Sequence, residues 1–248
     1  MNSTQKLLSL TEGKGACIFV KPNIVYIGNP KAASTSIHEL FGPYNTNFSE
    51  LCSSVDISTL KIISVIRNPL QRFISGYLEI QFYLDKVKDY KYASFYAPIL
   101  AESNATNRLS CFISLCEQQL LDQHIKTQQY YLSDFNGKLL PFYKLFIFED
   151  LDHEFSQFCI EVGHDHQLPH KNAKSSRAKN DCNQILQQHS ELRARINRLL
   201  ESDWELYEQS LVSKLQAGDN LSFERIAMPD KRLWNFSKKV KRCFSIKK

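Results

Sequence analysis

The segment Ile24-Val-Tyr-Ile27 runs directly into Gly28-Asn-Pro-Lys-Ala-Ala-Ser-Thr-Ser36, and this junction constrains the fold more than any other stretch. An unbroken run of apolar, β-branched and aromatic residues reads as a buried strand, which Gly28-Asn-Pro30 breaks. Ser34, Thr35 and Ser36 suit a helix start, and Ile37-His-Glu-Leu-Phe41 carries that helix to a stop at Gly42-Pro43. The first turn of such a helix presents unpaired N–H groups and partial positive charge, which together hold an anion. Lys31 adds a formal charge, the hydroxyls of Ser34, Thr35 and Ser36 add donors, and Ala32 and Ala33 keep the turn narrow. An ordinary helix cap beside a solvated lysine accounts for the same residues. The loop is also not a Walker A motif, because Lys31 comes early and no glycine lies between Asn29 and Ser36.

A second strand and helix follow. Lys61-Ile-Ile-Ser-Val-Ile-Arg67 is apolar enough for the centre of a parallel sheet. Asn68-Pro69 turns the chain, and Leu70 to Leu84 is predicted as an amphipathic helix, with Phe73, Ile74, Tyr77, Leu78 and Gln81 at helical spacing. Arg67 stands at the C-terminal end of its strand, the edge at which open α/β sheets bind ligands. Its guanidinium is always charged and binds phosphate through paired hydrogen bonds. Ser75 lies about two helical turns farther on. Arg67 and Ser75 are therefore candidates for a second phosphate, whereas Arg72 is expected as a surface charge.

Lys144-Leu-Phe-Ile-Phe148 reads as a third strand, followed by Glu149-Asp150 and a helix from Asp152 to Val162. Residues 85 to 123 have no clean period; helices and loops are expected there, among them a helix from Leu109 to Leu121. Leu168 to Arg177 is a polar, basic loop, and Asn183 to Leu215 is predicted as helical. Strand–helix alternation three times over predicts an α/β fold with a central parallel sheet flanked by helices on both faces. At 248 residues the chain is read as a single domain, with its core at about 20–215 and a peripheral basic segment at 216–248.

Composition narrows the partners. The hydrophobic share of 43% supports a packed core and argues against global disorder. A net charge of +5 suits an anionic ligand but is too small to point to nucleic acid. None of the seven cysteines forms a Cys-x-x-Cys pair, so buried reduced thiols are expected rather than a zinc site. Met1 to Gly15 lacks the apolar core of a signal peptide, and no apolar run is long enough to span a bilayer. The expected location is cytoplasmic, with the Golgi lumen the alternative if an anchor lies outside this chain. The cationic C-terminal stretch is expected to solubilise the terminus, with peripheral membrane contact as the alternative.

Taken together, these motifs resemble a known family. Pro30-Lys-Ala-Ala-Ser-Thr-Ser36 is similar to the 5′-phosphosulfate loop of sulfotransferases that use 3′-phosphoadenosine 5′-phosphosulfate (PAPS). Val65-Ile-Arg-Asn-Pro-Leu-Gln-Arg-Phe-Ile-Ser-Gly-Tyr77 is similar to their 3′-phosphate motif. Asp122-Gln-His124, Phe148-Glu-Asp-Leu151 and Leu168-Pro-His-Lys-Asn172 follow in the order found in the Golgi-type carbohydrate sulfotransferases and their bacterial relatives. The resemblance runs from about Ile24 to Arg177. Many loops of the family carry glycine or cysteine where this chain has Ala33 and Ser34.

The resemblance implies a P-loop-like three-layer sandwich, and transfer of a sulfuryl group from PAPS to a hydroxyl acceptor of the carbohydrate class, with release of PAP and no metal. It assigns Lys31 to the bridging oxygen. Lys31, Ala32, Ala33, Ser34, Thr35 and Ser36 would bind the 5′-phosphosulfate, and Arg67 and Ser75 the 3′-phosphate. His124 is the candidate base, since histidine titrates near neutral pH; Glu79 and Glu149 are alternatives, Glu149 being better suited to bracing the sheet end. Ser175, Ser176 and Arg177 form a basic hydroxyl loop, read as solvated. The rival readings are a P-loop-like nucleotide kinase or hydrolase, for which Asp150 would have to serve Mg²⁺, a non-catalytic nucleotide-binding protein, and a structural scaffold.

Overall fold

The computed structural model describes residues 17–21, 23–42, 60–133, 137–163, 176–217, 232, 236–238 and 240. They divide into two compact units, the first drawn from Met1–Asn68, Gln128–Pro169 and Asp203–Lys248, the second from Pro69–Thr127 and His170–Ser202.

The first unit is built on a four-stranded sheet whose spatial order follows the sequence: β1 (Cys17–Lys21), β2 (Ile24–Ile27), β3 (Lys61–Ile66) and β4 (Phe142–Ile147). β2, β3 and β4 are parallel, as the apolar runs predict, with Tyr26 opposite Ile63 and Val65 opposite Phe146. β1 is an addition to the sequence reading. It pairs antiparallel with β2, so the sheet is mixed rather than wholly parallel. Only Pro22 and Asn23 separate the two strands, and a link that short forces an antiparallel pair.

Side chains alternate across the sheet. Ile18, Val20, Ile24, Tyr26, Ile63, Val65 and Phe146 share one apolar cluster. The helices α1 (Ser34–Phe41) and α7 (Leu151–Glu161) contribute Ile37, Phe155 and Phe158 to it. Phe146 meets Phe155 and Phe158 with ring centroids 5.2 and 5.4 Å apart, in edge-to-face contacts that aromatic rings favour. The residues of opposite parity, Val25, Ile27, Ile62, Ile66 and Ile147, are buried as well, so the sheet is covered on both faces. This is the expected α/β fold, carrying one antiparallel edge strand. Helix α6 (Gln128–Leu132) and, from Asp203 onward, α10 (Glu201–Ala217) belong to the same unit.

The second unit is helical. Its elements are α2 (Pro69–Lys86), the short α3 (Ala93–Tyr96) and α4 (Pro98–Ala101), α5 (Ala105–Gln118), α8 (Ser176–Gln188) and α9 (Ser190–Leu199). Phe73 and Tyr77 of α2 pack on Phe112 of α5 at 5.4 and 4.8 Å. Arg195 of α9 ties to α5 through Glu117 and Ser114. The single helix expected over Asn183 to Leu215 is three, α8, α9 and α10. His189 leaves helical geometry at φ −117°, ψ 78°, and Leu200 departs at φ −105°, ψ 21°. Arg72, expected at the surface, is buried; Nη1 donates to the Lys126 carbonyl at 2.7 Å, which stitches α2 to the segment before α6.

Cys17, Cys116, Cys159 and Cys182 are buried thiols and Cys111 is half-buried. No described helix is long and apolar enough to cross a membrane. The Leu168 to Asn172 segment, Ser175 and most of the basic C-terminal stretch lie outside the described residues.

Candidate anion site and histidine cluster

The loop between β2 and α1 holds two non-glycine residues in the left-handed region, Lys31 at φ 67° and Ala33 at φ 59°. Each such residue costs about 1–2 kcal/mol, so surrounding contacts must hold the loop in place. Those contacts are visible. Ala32 N–H closes a turn on the Asn29 carbonyl at 3.1 Å. Ser34 Oγ donates to the same carbonyl at 2.7 Å, with the Tyr26 hydroxyl 3.2 Å from Ser34 Oγ. Ala32 is fully buried in the apolar cluster. Ala32 thus anchors the turn in the core as well as keeping it narrow, and the Ser34 hydroxyl proton is engaged inside the loop.

Ala33 is the N-cap of α1, and no side chain caps the helix. The first helical bond runs from Ile37 N–H to the Ala33 carbonyl at 3.1 Å. Among the described residues, no acceptor takes the N–H of Ser34, Thr35 or Ser36. Thr35 is exposed and Ser36 half-buried, while Lys31 is half-buried on the turn itself.

Arg67 follows β3 and reaches this loop. Its Nη1 donates to the Lys31 carbonyl at 3.0 Å, and its guanidinium sits 4.4 Å from the centre of the Phe148 ring. Behind it lies Gln128, fully buried, which sequence reasoning missed. Gln128 Oε1 accepts from Arg67 N–H at 2.8 Å and from Asn29 Nδ2 at 2.9 Å, and its Nε2 donates to the Arg67 carbonyl at 2.8 Å. Asn29 Nδ2 also donates to the Val65 carbonyl at 2.9 Å. One carboxamide therefore locks the loop, the end of β3 and the start of α6 together. Its sequence context, Lys126-Thr-Gln-Gln129, carries no signal that would single it out.

Glu149, an alternative base, instead braces the end of the sheet. Its carboxylate accepts from Asn68 N–H and from the Tyr207 hydroxyl, each at 3.0 Å. Burial pushes its pKa up, against these donors and the Arg67 charge, which pull it down.

In the second unit, Ser75 is buried on α2, next to Gly76. A Cβ on Gly76 would lie 2.5 Å from the His124 carbonyl oxygen, so only glycine allows α2 this close to the His124 backbone. His124 Nδ1 is 2.7 Å from Asp122 Oδ1, and the same oxygen accepts the His124 N–H at 2.7 Å. The Tyr90 hydroxyl donates to Asp122 Oδ2 at 2.7 Å. Burial raises the Asp122 pKa, but the His124 side chain and N–H and the Tyr90 hydroxyl outweigh it and hold the carboxyl below its ordinary value. Tyr83 meets the His124 ring edge-on at 5.5 Å. Arg177 is exposed at the start of α8. Among the described residues, no group of His, Cys, Asp and Glu gathers in a way that could hold a metal.

No protein-family model matches the sequence, and no curated protein matches it. Among solved structures, the chain is similar to the crystal structure of a sulfotransferase from Alicyclobacillus acidocaldarius. The TM-score is 0.28 and the identity 13%, over 80% of this chain and 91% of that one.

Proposed function

We propose that this chain is a PAPS-dependent sulfotransferase that transfers a sulfuryl group to a hydroxyl acceptor of the carbohydrate class and releases PAP. The observation that carries the reading is the uncapped start of α1, where Ser34, Thr35 and Ser36 N–H groups stand beside Lys31 on a strained loop. Strain held by so many contacts is a mark of a binding site, and helix starts of this kind bind phosphate and sulfate groups. The paired motifs around Lys31 and Arg67, with their resemblance to the two phosphate motifs of sulfotransferases, favour a nucleotide bearing phosphates at both ends.

In this reading the N–H groups of Ser34, Thr35 and Ser36 and the Thr35 and Ser36 hydroxyls bind the 5′-phosphosulfate on the turn that Ala32 and Ala33 shape, and Lys31 neutralises charge on the bridging oxygen. Arg67 and Ser75 bind the 3′-phosphate, with Arg67 also bracing the loop through the Lys31 carbonyl. The acceptor oxygen bonds to sulfur as the bond from sulfur to the bridging oxygen breaks, and His124 takes the acceptor proton. The whole chain is taken as one functional domain, and no metal enters the step.

Calorimetric titration with PAP in the absence of Mg²⁺ should show binding, weakened by Lys31→Ala. Incubation with labelled PAPS and a panel of glycans, lipids and small alcohols should transfer label, lost in Lys31→Ala and His124→Ala. Mg²⁺-dependent ATP turnover, with no PAP binding, would sink this reading in favour of a kinase or hydrolase. PAP binding without label transfer to any acceptor would favour a non-catalytic binding protein.

A further inference from the structure

Three hydrogen bonds of 2.7 Å converge on Asp122, and together they determine which nitrogen of His124 carries the proton. Oδ1 already accepts the His124 backbone N–H, and Oδ2 accepts the Tyr90 hydroxyl. A carboxylate has no proton to give, so His124 Nδ1, 2.7 Å away, must be the donor. Neutral imidazole has one N–H; with that on Nδ1, the lone pair falls to Nε2.

Other contacts hold the ring in that pose. Its side chain is only 12% exposed, so rotation away from Asp122 is restricted. Tyr83 closes one side at 5.5 Å, and Tyr83 in turn packs on Tyr90 at 5.4 Å. Gly76 admits α2 against the His124 carbonyl, so the backbone has little room to shift. Among the described residues, the titratable groups against the ring are Asp122 and Tyr83, with Tyr90 behind Asp122 and Glu79 beside Tyr83. Asp122 stays charged because hydrogen bonds outweigh its burial.

We infer that Asp122, steadied by Tyr90, is a positioning residue that fixes His124 in its Nδ1–H form and leaves Nε2 as the proton acceptor for an incoming hydroxyl. The assignment of that hydroxyl to a sulfuryl acceptor rests on the function proposed above; the tautomer does not. The logic is that of a base oriented by a buried carboxylate, whose value lies in holding one tautomer and stabilising the imidazolium once formed.

Nitrogen-15 NMR of the imidazole in the full wild-type chain, at a pH where His124 is neutral, tests the assignment directly. A protonated Nδ1 and an unprotonated Nε2 are expected; the reverse pattern overturns the inference without needing any variant to fold. Asp122→Ala should shift the population toward Nε2–H, whereas Tyr90→Phe should keep Nδ1–H. In the label-transfer assay, Asp122→Ala should lose on the order of 10²–10⁴-fold in kcat. Adding it to His124→Ala should cost nothing more, because Asp122 acts through His124. Additive losses would refute the positioning role. If the tautomer is as expected but no PAPS substrate is turned over, the proposed function fails and this inference stands; a reversed tautomer in an active sulfotransferase has the opposite meaning.

Discussion

Arg67 donates from Nη1 to the main-chain carbonyl of Lys31 across 36 residues of sequence, at 3.0 Å. This contact ties the end of β3 to the loop that enters α1. It gives one arginine two tasks, since the same residue is proposed to meet a phosphate. Arg67→Ala should lower stability by about 1.5–3 kcal/mol, the worth of a charge-assisted hydrogen bond, and should also weaken PAP binding. Arg67→Lys should recover little of either, because an ammonium lacks the planar fork and stacks poorly on Phe148. Urea unfolding and calorimetry on the two variants check this.

Ala33 bears its strain for want of a glycine. At φ 59° a Cβ is disfavoured, so Ala33→Gly should stabilise the chain by up to about 1 kcal/mol, after the added freedom of the unfolded state is subtracted. Ala33→Val should destabilise it by more than that, because a β-branched side chain tolerates this conformation least. Thermal unfolding midpoints that move in the same direction for both variants would contradict the backbone argument.

Gly76 is a packing glycine. Gly76→Ala places a methyl 2.5 Å from the His124 carbonyl oxygen and 2.9 Å from Ile125 Cγ2. Backbone has to yield, at a cost of about 1–3 kcal/mol. The accompanying shift of the His124 segment should appear as changed amide resonances at Asp122 to Ile125, measured alongside the urea midpoint.

Glu149 makes stability fall with rising pH. Burial raises its folded-state pKa above the ordinary 4.5, so the folded chain holds this proton more tightly than the unfolded chain does. Stability is therefore fullest below about pH 4.5 for this group, and declines as pH climbs through the raised value. Glu149→Gln keeps an acceptor for Asn68 N–H and offers a donor to the Tyr207 oxygen. It should flatten that part of the profile of unfolding free energy against pH, and an unchanged slope would show that Glu149 is not its source.

The elements that bound the site were legible in the residues to within a few positions: β2, α1, β3 and α2 fall where apolar periodicity and the Gly, Pro and Ser punctuation put them. β4 begins at Phe142 rather than Lys144, because its pairing with β3 extends past the apolar run. β1 has little local signal of its own, because Ile18 to Val20 is short and its strand state depends on pairing with β2. The breaks at His189 and Leu200 carry no proline or glycine to announce them.

By itself the sequence determined the strand–loop–helix that begins at Ile24, its Lys31 charge and its hydroxyls, since propensity and turn chemistry act between neighbours. Tertiary structure alone decided what those residues touch. It put the Arg67 guanidinium on the Lys31 carbonyl, turned Arg72 inward, enlisted Gln128 from 99 residues beyond Asn29, and placed Tyr90 on Asp122. Partners that distant are chosen by packing and by the cost of leaving a buried polar group unsatisfied, and no local pattern encodes that choice.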